Sequence, residues 1–147
     1  MRRGRSSAAA ATSLMRGYAL QQTRIMLRRL AFQLGQAARL GDEGSVHDLR
    51  VAIRRFSQCL RIFEPYFPAG EARRIRQKLK TIMAAAATVR DRDIAAGLMH
   101  AAGVPRRAPV IAALLKERKQ AERGLVELIH RAGHDSVSRK WRARLGL

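Results

Sequence analysis

Apolar residues recur along most of this chain at steps of three and four positions, which is the spacing of one face of an α-helix. Stretches rich in Gly, Pro, Ser and Asp separate these periodic segments and favour turns. The pattern predicts four main helices, over residues 14–40, 46–63, 71–89 and 110–132. The predicted fold class is therefore all-α, as a four-helix bundle.

The second predicted helix has the sharpest division into two faces. One broad arc is apolar and comprises Val46, Leu49, Ala52, Ile53, Phe56, Cys59, Leu60 and Phe63. The opposite side carries a regularly spaced polar row, which is His47, Arg50, Arg54, Gln58 and Arg61, with Arg55 on its flank. Because the steps are three and four residues, this row forms a helical ridge about 20 Å long.

The row admits two interpretations. It is either a solvated basic face on an ordinary core helix or a surface that binds an anion. A solvated face normally mixes charges of both signs, whereas Asp48 is the only acid between His47 and Phe63. Arg also outnumbers Lys along the chain, and the planar guanidinium group suits phosphate oxygens. Both points favour anion binding.

The first predicted helix is apolar on two sides. Leucines form one face, and Tyr18, Ile25 and Phe32 form a second stripe nearly opposite to it. A helix with two apolar sides needs partners on two sides, so the second stripe suggests self-association. The alternative is that Tyr18 and Phe32 cover the edge of the bundle.

The third predicted helix carries a second basic ridge. Arg73, Arg76 and Lys80 run along one edge of its apolar stripe, where the wall of a groove would lie. The Arg-Asp-Arg-Asp sequence at residues 90–93 predicts an interruption by Arg–Asp pairing and capping, before a short helix to residue 102. In that segment Arg90 alone is expected to face a ligand.

Arg118 is the exception to the apolar stripe of the fourth predicted helix. A charge at such a position must be paired or must face a polar interior. Glu122 lies four residues later and offers a partner within the helix. The alternative is that Arg118 contacts the ligand.

Charge identifies the class of partner. The 147 residues carry a formal net charge of +19, and such a field attracts polyanions or anionic membrane surfaces. No stretch of apolar residues is long enough for a transmembrane helix. The single Cys59 excludes an internal disulfide and is expected to be a buried free thiol in a reducing compartment, the cytoplasm. No cluster of Cys and His has the spacing of a zinc site.

One domain with two basic ends is predicted. Residues 1–13 are rich in Arg, Ser and Ala and are expected to form a disordered tail, although their composition also resembles an organelle transit peptide. Residues 14–132 form the helical bundle. Residues 133–147 form a basic C-terminal segment, in which Trp141 is expected to pack on a neighbouring surface.

Two stretches resemble the signatures of the CHAD domain, a helical polyphosphate-binding family. The first stretch reads HxxRVxxRR with a later Arg, and its matching residues are His47, Arg50, Val51, Arg54, Arg55 and Arg61. Ser57 stands where the family has a further Arg. The second stretch reads LKxI…VRDRDI and matches at Leu79, Lys80, Ile82, Val89, Arg90, Asp91, Asp93 and Ile94. The two stretches occur in the order of the family.

The resemblance implies a non-enzymatic protein that binds inorganic polyphosphate through a basic face or channel, with no catalytic residue, metal or cofactor. The candidate binding residues are His47, Arg50, Arg54, Arg55 and Arg61, with Arg73, Arg76, Lys80, Arg90 and Arg118 as a second wall. Family members are typically about twice as long, with two similar halves around a passage, so a homodimer is expected to complete the site of this half-length chain. An association with cytoplasmic polyphosphate granules follows from the same resemblance.

Two other functions stay open. The charge permits general polyanion or non-specific nucleic-acid binding, although an aromatic content of 5% provides few platforms on which bases could stack. A histidine phosphocarrier is also a helical bundle with an exposed His, but such domains place a small residue just after the basic one, where this chain has Val51 and Ile53 following Arg50. For phosphate hydrolysis, no cluster of carboxylates is present to hold Mg²⁺.

Overall fold

The computed structural model describes residues 3–147, with side chains from residue 7 onward. Within this range the chain forms five α-helices and no strand, so the all-α class is confirmed, with one helix more than expected. The helices are α1 (Arg3–Leu40), α2 (Glu43–Ile62), α3 (Glu71–Ala101), α4 (Pro109–Arg131) and α5 (His134–Leu145), and a 3-10 turn (Glu64–Tyr66) follows α2.

Successive helices pack side by side around one core. α1 lies along α2, α2 along α3 and α3 along α4, while α5 lies mainly on α1 and also contacts α3 and α4. The predicted apolar stripes supply the core, whose largest fully buried side chains include Leu27, Leu30, Leu34, Leu49, Phe56, Leu60, Ile75 and Leu79. The sharply two-faced α2 is therefore held between two neighbours, and its basic row stays outside the core.

The first helix begins earlier than predicted. α1 starts at Arg3, so residues 3–13, which the sequence predicts to be a disordered tail, are helical, and residues 1 and 2 lie outside the described part. The reason is local, since residues 8–11 are all Ala, which has the highest helix propensity, and no Pro interrupts the run. Residues 7–18 are exposed, so core packing does not hold this part of the helix.

The third helix is continuous where an interruption was predicted. α3 runs through Arg90–Asp93 to Ala101, so the expected break and short separate helix are wrong. Asp93 does not cap a new helix, because its carboxylate pairs with Arg118 of α4. Because the side chain of Asp93 is engaged with Arg118, it does not compete for the backbone, and residues 90–93 remain helical.

The C-terminal segment belongs to the bundle. α5 buries Val137, Trp141 and Leu145, and the indole of Trp141 is 3% exposed. Its ring stacks on Phe56 of α2, with ring centroids 6.1 Å apart. The predicted packing of Trp141 on a neighbouring surface is confirmed, and residues 133–147 are part of the core.

The single thiol is buried, as expected. Cys59 lies in the interface between α1 and α2, with its Sγ 3.5 Å from the hydroxyl of the buried Thr23. Burial raises the pKa of the Cys59 thiol, and the hydrogen bond with Thr23 offsets this only in part. Among the described helices, none is both long and apolar enough to cross a bilayer.

Candidate functional site

A groove between α2 and α3 is the largest depression that brings predicted binding residues together. It has a volume of about 900 Å³, within the range of small-molecule sites. We call it the α2/α3 groove, and its lining residues are Ile53, Arg54, Ser57, Gln58, Arg73, Arg76, Gln77, Lys80, Met83, Ala84 and Ala87.

Four basic side chains meet in this groove, and no acidic side chain lines it. Arg54 comes from α2, while Arg73, Arg76 and Lys80 follow one ridge of α3 at steps of three and four residues. Arg76 lies 3.9 Å from Glu64. The other three cations make no ion pair with any residue that the structure describes. Like charges held together without acids repel one another, so an anion between them is stabilising.

Small side chains keep the groove open. Ala84 and Ala87 continue the ridge of α3 beyond Lys80, and neither projects far enough to fill the space beside α2. Ile53 and Met83 provide the apolar floor, and Ser57, Gln58 and Gln77 provide neutral hydrogen-bonding groups. The groove therefore has an apolar base and a polar, positively charged rim.

The remaining predicted residues of the α2 row continue along the helix outside the groove lining. His47 and Arg61 are exposed near opposite ends of α2. Arg50 is half-buried, and its Nε is shielded from solvent without a hydrogen-bond partner among the described residues. A shielded donor of this kind is normally satisfied by a water or a bound anion.

Arg55 lies on the other side of α2. It lines a separate depression of about 400 Å³ against α1, together with Arg29 and Asp48. The cause is geometric, because consecutive residues of a helix point about 100° apart. Arg54 and Arg55 therefore face different grooves, although both match one sequence signature.

Arg118 is engaged inside the protein. Its Nε donates to Asp93 Oδ1 at 2.6 Å, its Nη1 donates to Glu122 Oε2 at 2.8 Å, and its Nη2 donates to the carbonyl oxygen of Gly41 at 2.7 Å. Burial would lower the pKa of Arg118, but the hydrogen bond and negative charge of Asp93, with those of Glu122, raise it above the ordinary value. Arg118 is absent from the groove lining, and its predicted pairing with Glu122 is present.

Arg90 is also paired within the protein. Its Nη1 contacts a carboxylate oxygen of Glu43, in the first turn of α2. The ion pair joins α3 to the start of α2, and Arg90 is absent from the groove lining. Of the ten predicted binding residues, the structure thus brings Arg54, Arg73, Arg76 and Lys80 into one groove.

Two neutral groove residues were missed by the sequence reasoning. Ser57 stands where the family has an arginine, and Gln77 carries no charge that would mark it as a phosphate ligand. The spacing could have identified Gln77, since it lies four residues after Arg73 and three before Lys80, on the same ridge. Ser57 carries the same signal, since it lies three residues after Arg54 and four before Arg61.

Comparison with known proteins gives one match. A protein-family model described as the CHAD domain matches residues 27–146, which is most of the 147-residue chain. No curated protein and no solved structure matches the chain. The matched region includes both walls of the α2/α3 groove and extends through α5.

Proposed function

We propose that this chain, which belongs to the CHAD domain family, binds inorganic polyphosphate in the α2/α3 groove without transforming it. The family is associated with polyphosphate binding. The observation that carries the proposal is the lining of the groove, where four basic side chains meet without an acid. Arg54, Arg73, Arg76 and Lys80 are its direct phosphate ligands.

The spacing of these cations suits a chain of linked phosphates. Side chains that are three or four residues apart on a helix lie about 5–6 Å from one another. The three cations of the α3 ridge can therefore grip successive parts of a flexible polyanion while Arg54 approaches it from α2. Guanidinium groups add paired hydrogen bonds to phosphate oxygens, which an ammonium group does not. Arg50 and Arg61 extend the contact along α2.

Nucleic acid is the second candidate ligand, and the net charge of +19 favours it. The groove lining contains no aromatic side chain, so a single strand would find no surface on which its bases could stack. A ligand made only of phosphates needs no such surface. The groove therefore supports polyphosphate better than nucleic acid.

Two further parts of the proposal concern assembly and place. A homodimer would set a second basic wall opposite the first, and the exposed Phe32 on the outer stripe of α1 supports contact between copies. A cytoplasmic location near polyphosphate granules agrees with this ligand and with the buried free thiol of Cys59.

A competition experiment tests the proposed function. Labelled long-chain polyphosphate is bound to the protein at physiological salt, and duplex DNA, single-stranded RNA and heparin then compete at matched charge. We expect polyphosphate to remain bound against excess competitor, because the groove fits its spacing. Equal displacement by every polyanion per unit charge would mean that the field of the whole protein explains the binding, and would contradict the proposal.

A matched pair of variants connects the preference to the groove. Arg54→Ala removes a groove cation, whereas Arg123→Ala removes an exposed cation of α4 that lies outside the lining of the α2/α3 groove and makes no ion pair with the described residues. We expect Arg54→Ala to weaken polyphosphate binding about tenfold, since one charge-assisted contact is lost, and Arg123→Ala to change it by less than about twofold.

A further inference from the structure

A second basic groove lies on the other side of α3. It has a volume of about 430 Å³ and is formed where α3, α4 and α5 meet. We call it the α3/α5 groove, and its lining residues are Lys78, Thr81, Ile82, Leu128, Arg131, Ala132, Lys140, Trp141 and Arg144. Like the first groove, it combines an apolar base with a basic rim and has no acid in its lining.

The cations of this groove are largely free of acidic partners. Arg131 pairs with Glu127, one turn earlier on α4. Lys78, Lys140 and Arg144 make no ion pair with any described residue, and all three are exposed. Three uncompensated cations, one from α3 and two from α5, therefore converge on one depression, which is unfavourable unless an anion occupies it.

The two grooves adjoin across one ridge of α3. Gln77 lines the α2/α3 groove, and Thr81, one helical turn later, lines the α3/α5 groove. Both side chains are exposed, and residues at this spacing lie about 5–6 Å apart. Since no acid occurs between Glu71 and Asp91, an anion that crosses this ridge meets no repelling charge on α3.

The cations on either side of the ridge are within reach of one polymer. Lys78 and Lys80 are two residues apart, so they point about 160° apart around the outer side of α3. On a helix about 10–12 Å across, this arc measures about 15 Å. A ligand of only a few phosphates occupies one groove, whereas a longer chain spans the arc and reaches both.

We propose that the α3/α5 groove is a second phosphate-binding site, and that one long polyphosphate chain crosses the Gln77–Thr81 ridge and occupies both grooves. This inference rests on the proposed function and adds to it a selectivity for chain length. Lys78, Lys140 and Arg144 contribute to the binding of long chains and do not contribute to the binding of tripolyphosphate in the α2/α3 groove.

The test compares tripolyphosphate with long-chain polyphosphate on two charge-matched triple variants. One combines Lys78→Ala, Lys140→Ala and Arg144→Ala, which are exposed positions, so the fold is kept. The control combines Arg107→Ala, Lys116→Ala and Arg123→Ala, which are exposed and line neither groove. Dissociation constants are measured by calorimetry at several salt concentrations.

We expect the triple variant of the α3/α5 groove, called the groove variant, to weaken long-chain binding about tenfold or more. It should also lower the slope of log affinity against log salt by about two, because three contacts are lost and each releases about 0.7 of a counter-ion. Tripolyphosphate binding should change by less than about twofold, and the control should change neither ligand's binding by more than that. Unchanged long-chain binding, or equal weakening by the control, would overturn the proposal.

The same measurements distinguish failure of the second site from failure of the proposed function. If Arg54→Ala weakens tripolyphosphate binding but the groove variant leaves long chains unaffected, the α2/α3 site stands and the second site is refuted. If Arg54→Ala leaves both ligands unaffected, the proposed function itself fails, and this inference fails with it.

Discussion

Arg118 shows how one side chain can join three parts of the chain. It contacts Asp93 of α3, Glu122 of its own helix and the carbonyl oxygen of Gly41 between α1 and α2. Gly41 has a positive φ of 59°, and a Cβ atom there would lie 2.5 Å from Glu122 Oε1. The position therefore requires glycine both for its backbone conformation and for the approach of the ion-pair network.

We expect Arg118→Ala to lower the free energy of unfolding by about 3 kcal/mol, because it leaves the largely buried carboxylate of Asp93 without its cation and Glu122 with only the exposed Lys119. The side chain of Asp93 is 8% exposed and that of Glu122 is 16% exposed, so water replaces the lost contacts poorly. Urea denaturation, monitored by the fluorescence of Trp141, measures the loss.

Arg123→Ala is the control for this substitution, since it removes the same charge from an exposed position of the same helix. Tripolyphosphate binding by the folded Arg118→Ala protein should match that of the wild type. Strong loss of binding with unchanged stability would instead make Arg118 a ligand residue, the other interpretation that its sequence position allows.

For single residues, the sequence predicts ion pairs within a helix but does not predict those between helices. The Arg118–Glu122 pair follows from a separation of four residues, and it is present. The Arg118–Asp93 and Arg90–Glu43 pairs join residues that are 25 and 47 positions apart, and no local pattern specifies them. For the same reason, the sequence presents Arg54 and Arg55 as one motif. Only the packing of α1 and α3 against α2 shows that the two side chains line different grooves.

At the scale of the helices, the α2/α3 groove exists because α3 carries small residues where it faces the basic row. Ala84 is exposed and lines the groove one turn beyond Lys80. Its methyl group leaves room for a ligand and makes no contribution to the buried core. A substitution of Ala84 can therefore test whether the groove binds the ligand without disturbing the buried core.

We expect Ala84→Glu to weaken polyphosphate binding at least about tenfold, because it places a carboxylate in a groove whose lining contains four cations and no acid. Stability should change little, since Glu has good helix propensity and the site is solvated. Fluorescence anisotropy with labelled polyphosphate gives the affinity. Ala113→Glu, at an exposed position of α4 outside the groove, has the same charge and should have less than about a twofold effect.

The boundaries of the helices were predictable where turn residues mark them. α1 ends at Leu40, just before Gly41, and α4 begins at Pro109, both close to the expected positions. The prediction failed where tertiary contacts change the role of a residue, as when Asp93 pairs with Arg118 and α3 continues. It also failed for α5, because Val137, Trp141 and Leu145 are separated by polar and basic residues and form too short an apolar pattern to predict a helix.

At the scale of the whole molecule, the net charge of +19 opposes the proposed dimer. Two such chains repel each other at long range, and dissolved salt or a bound polyanion reduces that repulsion. The dimer should therefore strengthen when salt or polyphosphate is added. A contact that depended mainly on surface ion pairs would weaken with salt instead.

The outer stripe of α1 provides the apolar contact that such a dimer needs. Tyr18 already meets Phe63 edge to face within one chain, with ring centroids 6.2 Å apart, so it covers the edge of its own bundle. Phe32 is 60% exposed and has no such partner among the described aromatic rings. In a two-fold interface each residue occurs twice, so burial of Phe32 contributes twice to the association.

We expect sedimentation at micromolar concentration to give a particle of about twice 16.4 kDa, and Phe32→Ser to shift it towards the monomer. Burying one phenylalanine side chain stabilises an interface by about 1.5–3 kcal/mol, and the symmetric loss of two is enough to separate the copies at this concentration. Leu98→Ser is the matched control, since Leu98 is 66% exposed on α3, away from the stripe. A wild-type monomer would contradict the proposed homodimer. An equal effect of Leu98→Ser would contradict the assignment of its interface to Phe32.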